Sequence, residues 1–183
     1  MSRRALVPVL SPLVALFLVA PASAAVACPG ADAIPTRATV VVAQDATLCL
    51  VNTERRRRGL RALRANPSLT VAAAEHSADM VRRKYFGHTT PSGRGSADRA
   101  RAAGYGSSFI GENIAWGAWK YASPRAIVRM WMDSGPHRAN ILDRAYRDAG
   151  PGVAAGLPVR NGQVSFDVSD VGGSTYTMDF GSR

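Results

Sequence analysis

The sequence predicts an α+β fold in which helices come first and a small antiparallel sheet closes the chain. Between residues 45 and 143, apolar side chains recur at intervals of three and four, as on one face of a helix. After Gly150 the pattern changes to short alternating runs separated by Asn-Gly and Gly-Gly, which are typical of strands joined by tight turns. No internal repeat or linker divides the 183 residues, so a single core is expected.

Helix boundaries are predicted from capping residues and from glycines. The predicted starts are Asp45 or Thr47, Asn66 followed by Pro67, Ser96, Ser123 followed by Pro124, and Arg138. The corresponding ends are Gly59, Phe86, Gly104, the segment DSGPH and Asp143. Strands are predicted in the runs GVAAGLPV, QVSFDVSD and STYTMDFG.

The first 27 residues have the pattern of a secretory signal peptide. Arg3 and Arg4 precede an apolar segment that is interrupted by prolines and followed by small residues. That segment is shorter than the ~20 apolar residues that a membrane span requires. We therefore expect a secreted protein, extracellular or associated with the cell envelope, with a tethered arm over residues 28–46 and the folded domain over residues 47–183.

The chain is strongly basic, with a formal net charge of +10. In an exported protein this charge favours anionic cell-wall polymers or lipids as partners. Nucleic acid is not expected, because the sequence contains no recognisable nucleic-acid-binding module. The densest basic run, ERRRRGLRALR, is interpreted as the solvated face and end of a helix. We expect a monomer with no transmembrane segment after removal of the signal.

The sequence contains two cysteines, Cys28 and Cys49. In an exported chain two cysteines are most simply explained by one disulfide. This bond would fasten the N-terminal arm to the first helix. It would contribute ~3 kcal/mol by restricting the unfolded chain.

The candidate site residues are polar side chains in apolar surroundings: His88, Glu112, Asn113 and His137. A buried carboxylate is costly unless it is paired or hydrogen-bonded, and histidine is a natural partner. Such a set could bind a divalent metal, perform acid–base chemistry, or form a hydrogen-bonded polar core. The spacing does not decide among these three, and no catalytic motif or activated nucleophile is present to identify catalytic residues.

Several motifs in fixed order resemble the bacterial branch of the CAP superfamily, whose domain is also called the SCP domain. The matching segments are LVNTERRRRGLRALRANPSLTVAAAEHSADMVRRKYFGHTTPSG, DRARAAGY, GENIAWG, IVRMWMDSGPHRANIL and YTMDFG. The resemblance implies an α-β-α sandwich with a central antiparallel sheet flanked by helices. It also implies that NIAWG forms a further strand.

The resemblance further implies a cleft with two His and two Glu residues that can bind a cation such as zinc. His88, Glu112 and His137 match three of these four residues, whereas the expected second Glu is Ser134. A metal is therefore expected to be optional.

The leading functional hypothesis is a secreted, non-catalytic binding module at the cell envelope or outside the cell. The alternative is a divalent-metal-assisted hydrolase that uses the same cleft. In that alternative Asn113 or Arg138 would orient the substrate.

Overall fold

The structure is a computed structural model, and it describes residues 27–107, 109–160, 163–164 and 172–182. Nearly all of the predicted signal peptide and most of the predicted strand QVSFDVSD lie outside these residues. Within them there are five α-helices: α1 Val40–Arg56, α2 Pro67–Arg83, α3 Ser96–Ala102, α4 Pro124–Asp133 and α5 Gly135–Leu142. The strands are β1 Arg64–Ala65, β2 Ile110–Ala118, β3 Asp148–Ala155 and β4 Gly173–Gly181. A short 3-10 helix, Trp119–Ala122, connects β2 to α4.

The strands form one sheet in the order β1-β3-β4-β2. The pairs β3–β4 and β4–β2 are antiparallel, as predicted, and β2 contains the NIAWG segment. The short strand β1 pairs in parallel with the start of β3, so the sheet is mixed and the prediction of a wholly antiparallel sheet was wrong in this detail. A two-residue edge strand is too short to carry a periodic pattern that a sequence would reveal.

Helices cover both faces of the sheet, which confirms the predicted α-β-α sandwich. Helix α2 packs on β3 and β4 and also contacts α3, whereas α1, α4 and α5 pack together and contact the sheet. Alternation along β4 sends Tyr176, Met178 and Phe180 into the large core shared with α1 and α4. Consequently Thr177 and Asp179 point to the α2 face.

Helix α2 lies unusually close to β3 because two glycines make room for it. A Cβ atom on Gly150 would lie 2.1 Å from the backbone of Leu69, and one on Gly152 would lie 2.1 Å from the backbone of Ala73. Any side chain at these two positions would force α2 away from the sheet. This close approach of α2 to β3 determines how near the side chains of α2 lie to those of the sheet at the candidate site.

Several predicted helix boundaries are confirmed by capping contacts. The Oδ1 atom of Asn66 accepts a hydrogen bond from the backbone N–H of Leu69 at 3.2 Å. The hydroxyl of Ser123 accepts one from the backbone N–H of Ala126 at 3.3 Å. These local side-chain-to-backbone contacts explain why the starts of α2 and α4 can be read from the sequence.

Other boundaries differ from the prediction. Helix α1 begins at Val40, so the last part of the predicted arm, residues 28–46, is helical. Buried Ala43 and Ala46 extend the apolar stripe of α1, and this packing outweighs the weak helix propensity of the valines. Helix α2 stops before Phe86 because Lys84 adopts a left-handed conformation with φ of 55°.

The two shorter helices also begin earlier than predicted. Helix α3 has Gly95 rather than Ser96 at the capping position, and Ser96 is its first helical residue. Helix α5 begins at Gly135 instead of Arg138. The predicted stop of α3 at Gly104 agrees with the left-handed φ of 90° at that glycine.

The predicted disulfide between Cys28 and Cys49 is confirmed. It joins the N-terminal arm to the middle of α1 across a sequence separation of 21 residues. The arm is also held at its far side, because Asp32 pairs with Arg125 of α4 at 2.7 Å. No helix among the described residues is both long and apolar enough to cross a membrane.

The prediction that the basic run ERRRRGLRALR is solvated is wrong for Arg55. Its side chain is fully buried at the end of α1. The guanidinium donates hydrogen bonds to three backbone carbonyls, those of Arg61 at 2.8 Å, Ile141 at 2.7 Å and Asp143 at 2.9 Å. One arginine of the run therefore joins α1 to the end of α5 and to the loop before β1.

We predict that Arg55→Ala lowers the free energy of unfolding by about 2–4 kcal/mol, because it leaves buried carbonyls without donors. Arg56→Ala is the matched control, since Arg56 is the next residue along α1 and is exposed, so its loss should change stability by no more than about 0.5 kcal/mol. Urea denaturation of the two variants measures the difference. Equal losses in both would show that the buried hydrogen bonds are not the cause.

Candidate functional site

The site is built around Glu112, a buried carboxylate on β2. Glu112 pairs across the sheet with Asp179 of β4, and both side chains face the α2 layer. Because side chains alternate along a strand, the next residue, Asn113, points to the opposite face. The two adjacent polar residues of the GEN motif therefore serve different layers of the sandwich.

Three side chains from the α2 side approach the Glu112 carboxylate. The His88 Nδ1 atom lies 2.7 Å from Oε1, and Arg99 donates a hydrogen bond from Nη2 to Oε2. The Nε2 atom of His76 lies 4.0 Å from Oε2. Burial alone would raise the pKa of Glu112, but the His88 hydrogen bond and the Arg99 charge outweigh burial and hold this pKa below its ordinary value.

Arg99 of α3 is buried and connects the carboxylate to the loop that carries His88. Its Nη1 atom donates to the backbone carbonyls of His88 at 2.9 Å and Arg94 at 3.0 Å. The same side chain thus neutralises Glu112 and positions the segment between α2 and α3. Its Nε atom has no hydrogen-bond partner within the described part of the chain.

Asp179 lies beside Glu112 and is fully buried. Neither of its carboxylate oxygens accepts a hydrogen bond from the residues that the structure describes. Burial, together with the negative charge of Glu112, raises the pKa of Asp179 well above its ordinary value. Two neighbouring buried carboxylates cannot both ionise at low cost, so the raised pKa of Asp179 favours its neutral form.

The pKa values of the two cleft histidines, His88 and His137, are shifted in opposite directions. The side chain of His88 is 58% exposed, and its hydrogen bond to Glu112 raises its pKa. His137 of α5 is half-buried, and burial followed by the charge of His88 lowers its pKa. The effect of His88 on His137 indicates that the two imidazoles share one electrostatic environment.

Ser134 occupies the position where the resemblance expects a second acid. Its hydroxyl lies 2.9 Å from the Nδ1 atom of His137, so it orients this imidazole through a hydrogen bond. A hydroxyl supplies no charge to hold a cation.

Asn113 holds helix α5 against β2 from the opposite face of the sheet. Its side-chain amide donates to the backbone carbonyl of His137 at 3.0 Å, and its Oδ1 atom accepts from Asn140 at 2.9 Å. Asn140 also donates to the backbone carbonyl of Glu112 at 3.1 Å. The structure thus assigns Asn113 to the fold behind the cleft, not to its lining.

Arg138 also does not join the predicted cluster. It is exposed, and its guanidinium donates to the backbone carbonyl of Met132 at the end of α4 at 2.9 Å. This contact satisfies a carbonyl that the helix itself leaves unpaired. The prediction that Asn113 or Arg138 lines the cleft therefore finds no support in the geometry.

A family model matches residues 48–161, and this model is that of the CAP family of cysteine-rich secretory proteins. The chain belongs to this family. Among curated proteins, the CAP chain is 35% identical over 103 residues to the uncharacterised protein YkwD of Bacillus subtilis, covering 56% of this chain and 39% of YkwD. It is 32% identical over 106 residues to YlbC of the same species, described as an uncharacterised membrane protein, covering 58% of this chain and 30% of YlbC. It thus spans about a third of these relatives' lengths.

Solved structures agree with the CAP assignment. An extracellular SCP-domain protein from Bacillus anthracis superposes with a TM-score of 0.64 at 25% identity, covering 81% of this chain and 44% of that protein. An outer surface protein of Borrelia burgdorferi superposes with a TM-score of 0.60 at 16% identity, covering 74% of this chain and 89% of that protein. The second likeness concerns the fold alone.

The arrangement does not fit a three-ligand cation site in this CAP domain. Both oxygens of Glu112 are engaged, one by His88 and one by Arg99. Across the described residues, no group of three or more His, Cys, Asp or Glu side chains is placed to hold a metal ion. The guanidinium of Arg99 supplies the positive charge next to Glu112 that a cation would otherwise bring.

Sequence reasoning did not identify Arg99 or Asp179 as parts of the site. Both lie in segments that carried the sequence resemblance, DRARAAGY and YTMDFG, but neither position stands out by its spacing. One usable signal was the acid between Met178 and Phe180, in a strand otherwise free of charge. His76 is buried, and its Nε2 atom lies 3.0 Å from the Gly87 carbonyl oxygen.

We predict that Arg99→Ala lowers the free energy of unfolding by about 3–5 kcal/mol, because it leaves the buried Glu112 charge uncompensated. Arg101→Ala on the same helix is the control, since it removes only the exposed pair with Asp98 and should cost at most about 1 kcal/mol. Thermal and urea unfolding measure both effects. A loss in Arg99→Ala no larger than in the control would contradict the assigned role.

We predict that His88 titrates above 6.5 and that His76 and His137 titrate below it. The chain has only three histidines, so NMR can follow each imidazole separately. In Glu112→Gln the pKa of His88 should fall, because its hydrogen-bonded carboxylate is gone.

The sign of the linked stability follows from the raised pKa of His88. Its contribution is fully present below its unfolded pKa and is lost as the pH rises through its folded pKa. If the pKa of His88 is the same in Glu112→Gln as in the wild-type protein, the pairing of His88 with Glu112 is disproved.

Proposed function

We propose that this CAP domain is a secreted binding module of the cell envelope that does not catalyse turnover through its His–Glu cleft. The observation that carries the proposal is the mutual pairing of the polar groups. Glu112 is paired by Arg99 and His88, and Asp179 is kept neutral beside it. A general base needs a carboxylate or imidazole free to take a proton from substrate, and here Glu112 is committed to the fold.

The envelope location is supported by three independent features. The disulfide favours an oxidising compartment, and an SCP-domain protein of Bacillus anthracis with the same fold is described as extracellular. The net charge of +10 favours attraction to anionic polymers and lipids, which are exposed at that location. Together they support an envelope surface as the binding partner.

The direct test is co-sedimentation of the purified protein with isolated cell wall and, separately, with isolated membranes at low and high salt. We expect binding to at least one fraction that weakens as salt rises, because exposed charges are screened. His88→Ala tests the contribution of the cleft, and Val71→Gln, an exposed residue of α2, is the matched surface control. Absence of binding to both fractions at every salt concentration would reject the proposal.

A metal-assisted hydrolase is the second candidate, and the electrostatic coupling of His88 and His137 is the observation in its favour. In this alternative His88 and His137 would hold a divalent cation such as zinc without Glu112, whose two oxygens are already engaged, and the cation would supply Lewis-acid chemistry. Calorimetric zinc titration of the wild-type protein and of His88→Ala decides the matter. Equal heats in the two proteins would eliminate this candidate.

A further inference from the structure

Large apolar side chains are exposed together at the end of β2 that is remote from Glu112. Trp119 is 50% exposed, Tyr121 is 56% exposed and Met130 is 42% exposed. We call these three residues the aromatic corner. Tyr121 and Met130 line one groove of about 520 Å³ between the 3-10 helix and α4. Exposed apolar side chains that line one groove, as Tyr121 and Met130 do, mark interaction surfaces more often than single ones do.

The backbone at the corner is held in an unusual conformation. Trp119 has a φ of 50°, a left-handed conformation that a bulky residue rarely adopts. Its backbone N–H donates to the Gly172 carbonyl at 2.8 Å. A Cβ atom on Gly117 would lie 2.0 Å from the Tyr121 carbonyl oxygen, so the chain folds back tightly there. Strain of this kind persists only where surrounding contacts enforce it, and it is concentrated at functional surfaces.

Basic side chains surround the aromatic corner. The Lys120 ammonium lies 5.2 Å from the centroid of the Tyr121 ring. Lys120 and Arg129 are exposed and line the groove, where Asp133 is the acidic neighbour. Arg125, one turn before Arg129 in α4, is exposed but is paired with Asp32. The surface therefore combines amphipathic rings with more positive than negative charge.

This combination matches the chemistry of a lipid headgroup region. Trp and Tyr rings are enriched at the level of the headgroups, where one end of the side chain is apolar and the other is wet. Lys and Arg near an anionic membrane gain favourable electrostatic energy from the lipid phosphates. A carbohydrate polymer would use the rings, but it would not require the adjoining Met130 side chain and apolar groove.

We propose that the aromatic corner docks on the surface of an anionic lipid bilayer, with Lys120 and Arg129 facing the phosphates. The inference rests on the proposed envelope role and specifies lipid as the partner. It uses a surface distinct from the His88–Glu112 cluster, because Ala118 lies six positions further along the extended strand than Glu112, a distance of about 20 Å.

The test is co-sedimentation of the full chain with phosphatidylcholine vesicles, with and without phosphatidylglycerol, at low and high salt. We expect binding only when phosphatidylglycerol is present, and weakening with salt. Tyr121→Ser combined with Met130→Gln, and separately Arg129→Glu, should each weaken vesicle binding about tenfold or more.

Two controls change an equivalent surface on the opposite layer of the sandwich. Val71→Gln on α2 removes an exposed apolar residue, and Arg101→Glu on α3 makes the same charge change as Arg129→Glu. Both should stay within about twofold of wild type, because Val71→Gln leaves the charge unchanged and Arg101→Glu affects only general charge attraction. Circular dichroism verifies that each variant is folded.

Failure of this inference is distinguishable from failure of the envelope role. Binding to isolated cell wall without binding to vesicles would leave the envelope role intact and overturn lipid docking. Vesicle binding that the two control variants weaken as much as the corner variants would assign it to diffuse charge and also overturn the proposal. Loss of binding in the corner variants alone supports it.

Discussion

The buried ion pair between Arg99 and Glu112 is the interaction on which the arrangement of this site depends. Glu112 is buried although it lies on the edge strand β2, and an ionised carboxylate is costly there without a partner. Arg99 brings the compensating charge from α3 and also fixes the loop that presents His88. Without this arginine, a buried charge would be left and the His88 loop would lose its anchor.

The close packing of α2 makes that arrangement possible. Gly150 and Gly152 let the helix backbone lie against β3, which brings His76 to the same carboxylate and buries Asp179 beneath it. Because Asp179 is neutral, the cluster carries one carboxylate charge instead of two. Histidine and arginine then balance that charge, and the polar groups join β2, β4, α2 and α3 into one unit.

The extent to which the sequence predicted this structure depends on how local each signal is. The helix caps at Asn66 and Ser123 follow from neighbouring residues, and both are confirmed. The disulfide follows because the sequence contains only two cysteines, and it is also confirmed. The proximity of His88 and Glu112 required the family motifs, since 24 residues separate them. Asp179 was missed because its position beside Glu112 depends on the register of two strands far apart in the chain.

Long-range packing also explains the other differences from prediction. One arginine of a basic run, Arg55, is buried because carbonyls from the loop before β1 and from the end of α5 converge on it, and no local sequence pattern indicates this. The adjacent residues Glu112 and Asn113 form a single motif in the sequence, yet they belong to opposite faces of the sheet. Only the side-chain alternation of the observed strand separates the cleft residue from the residue that holds α5.

The most direct measurement of the central interaction is a double-mutant cycle on unfolding free energy, using Arg99→Ala, Glu112→Gln and the double variant. If the two side chains stabilise the fold as a pair, removing both should be less damaging than the sum of the single changes. We expect a coupling of about 1–3 kcal/mol. Additivity of the two single effects within about 0.5 kcal/mol would contradict a site organised around this pair.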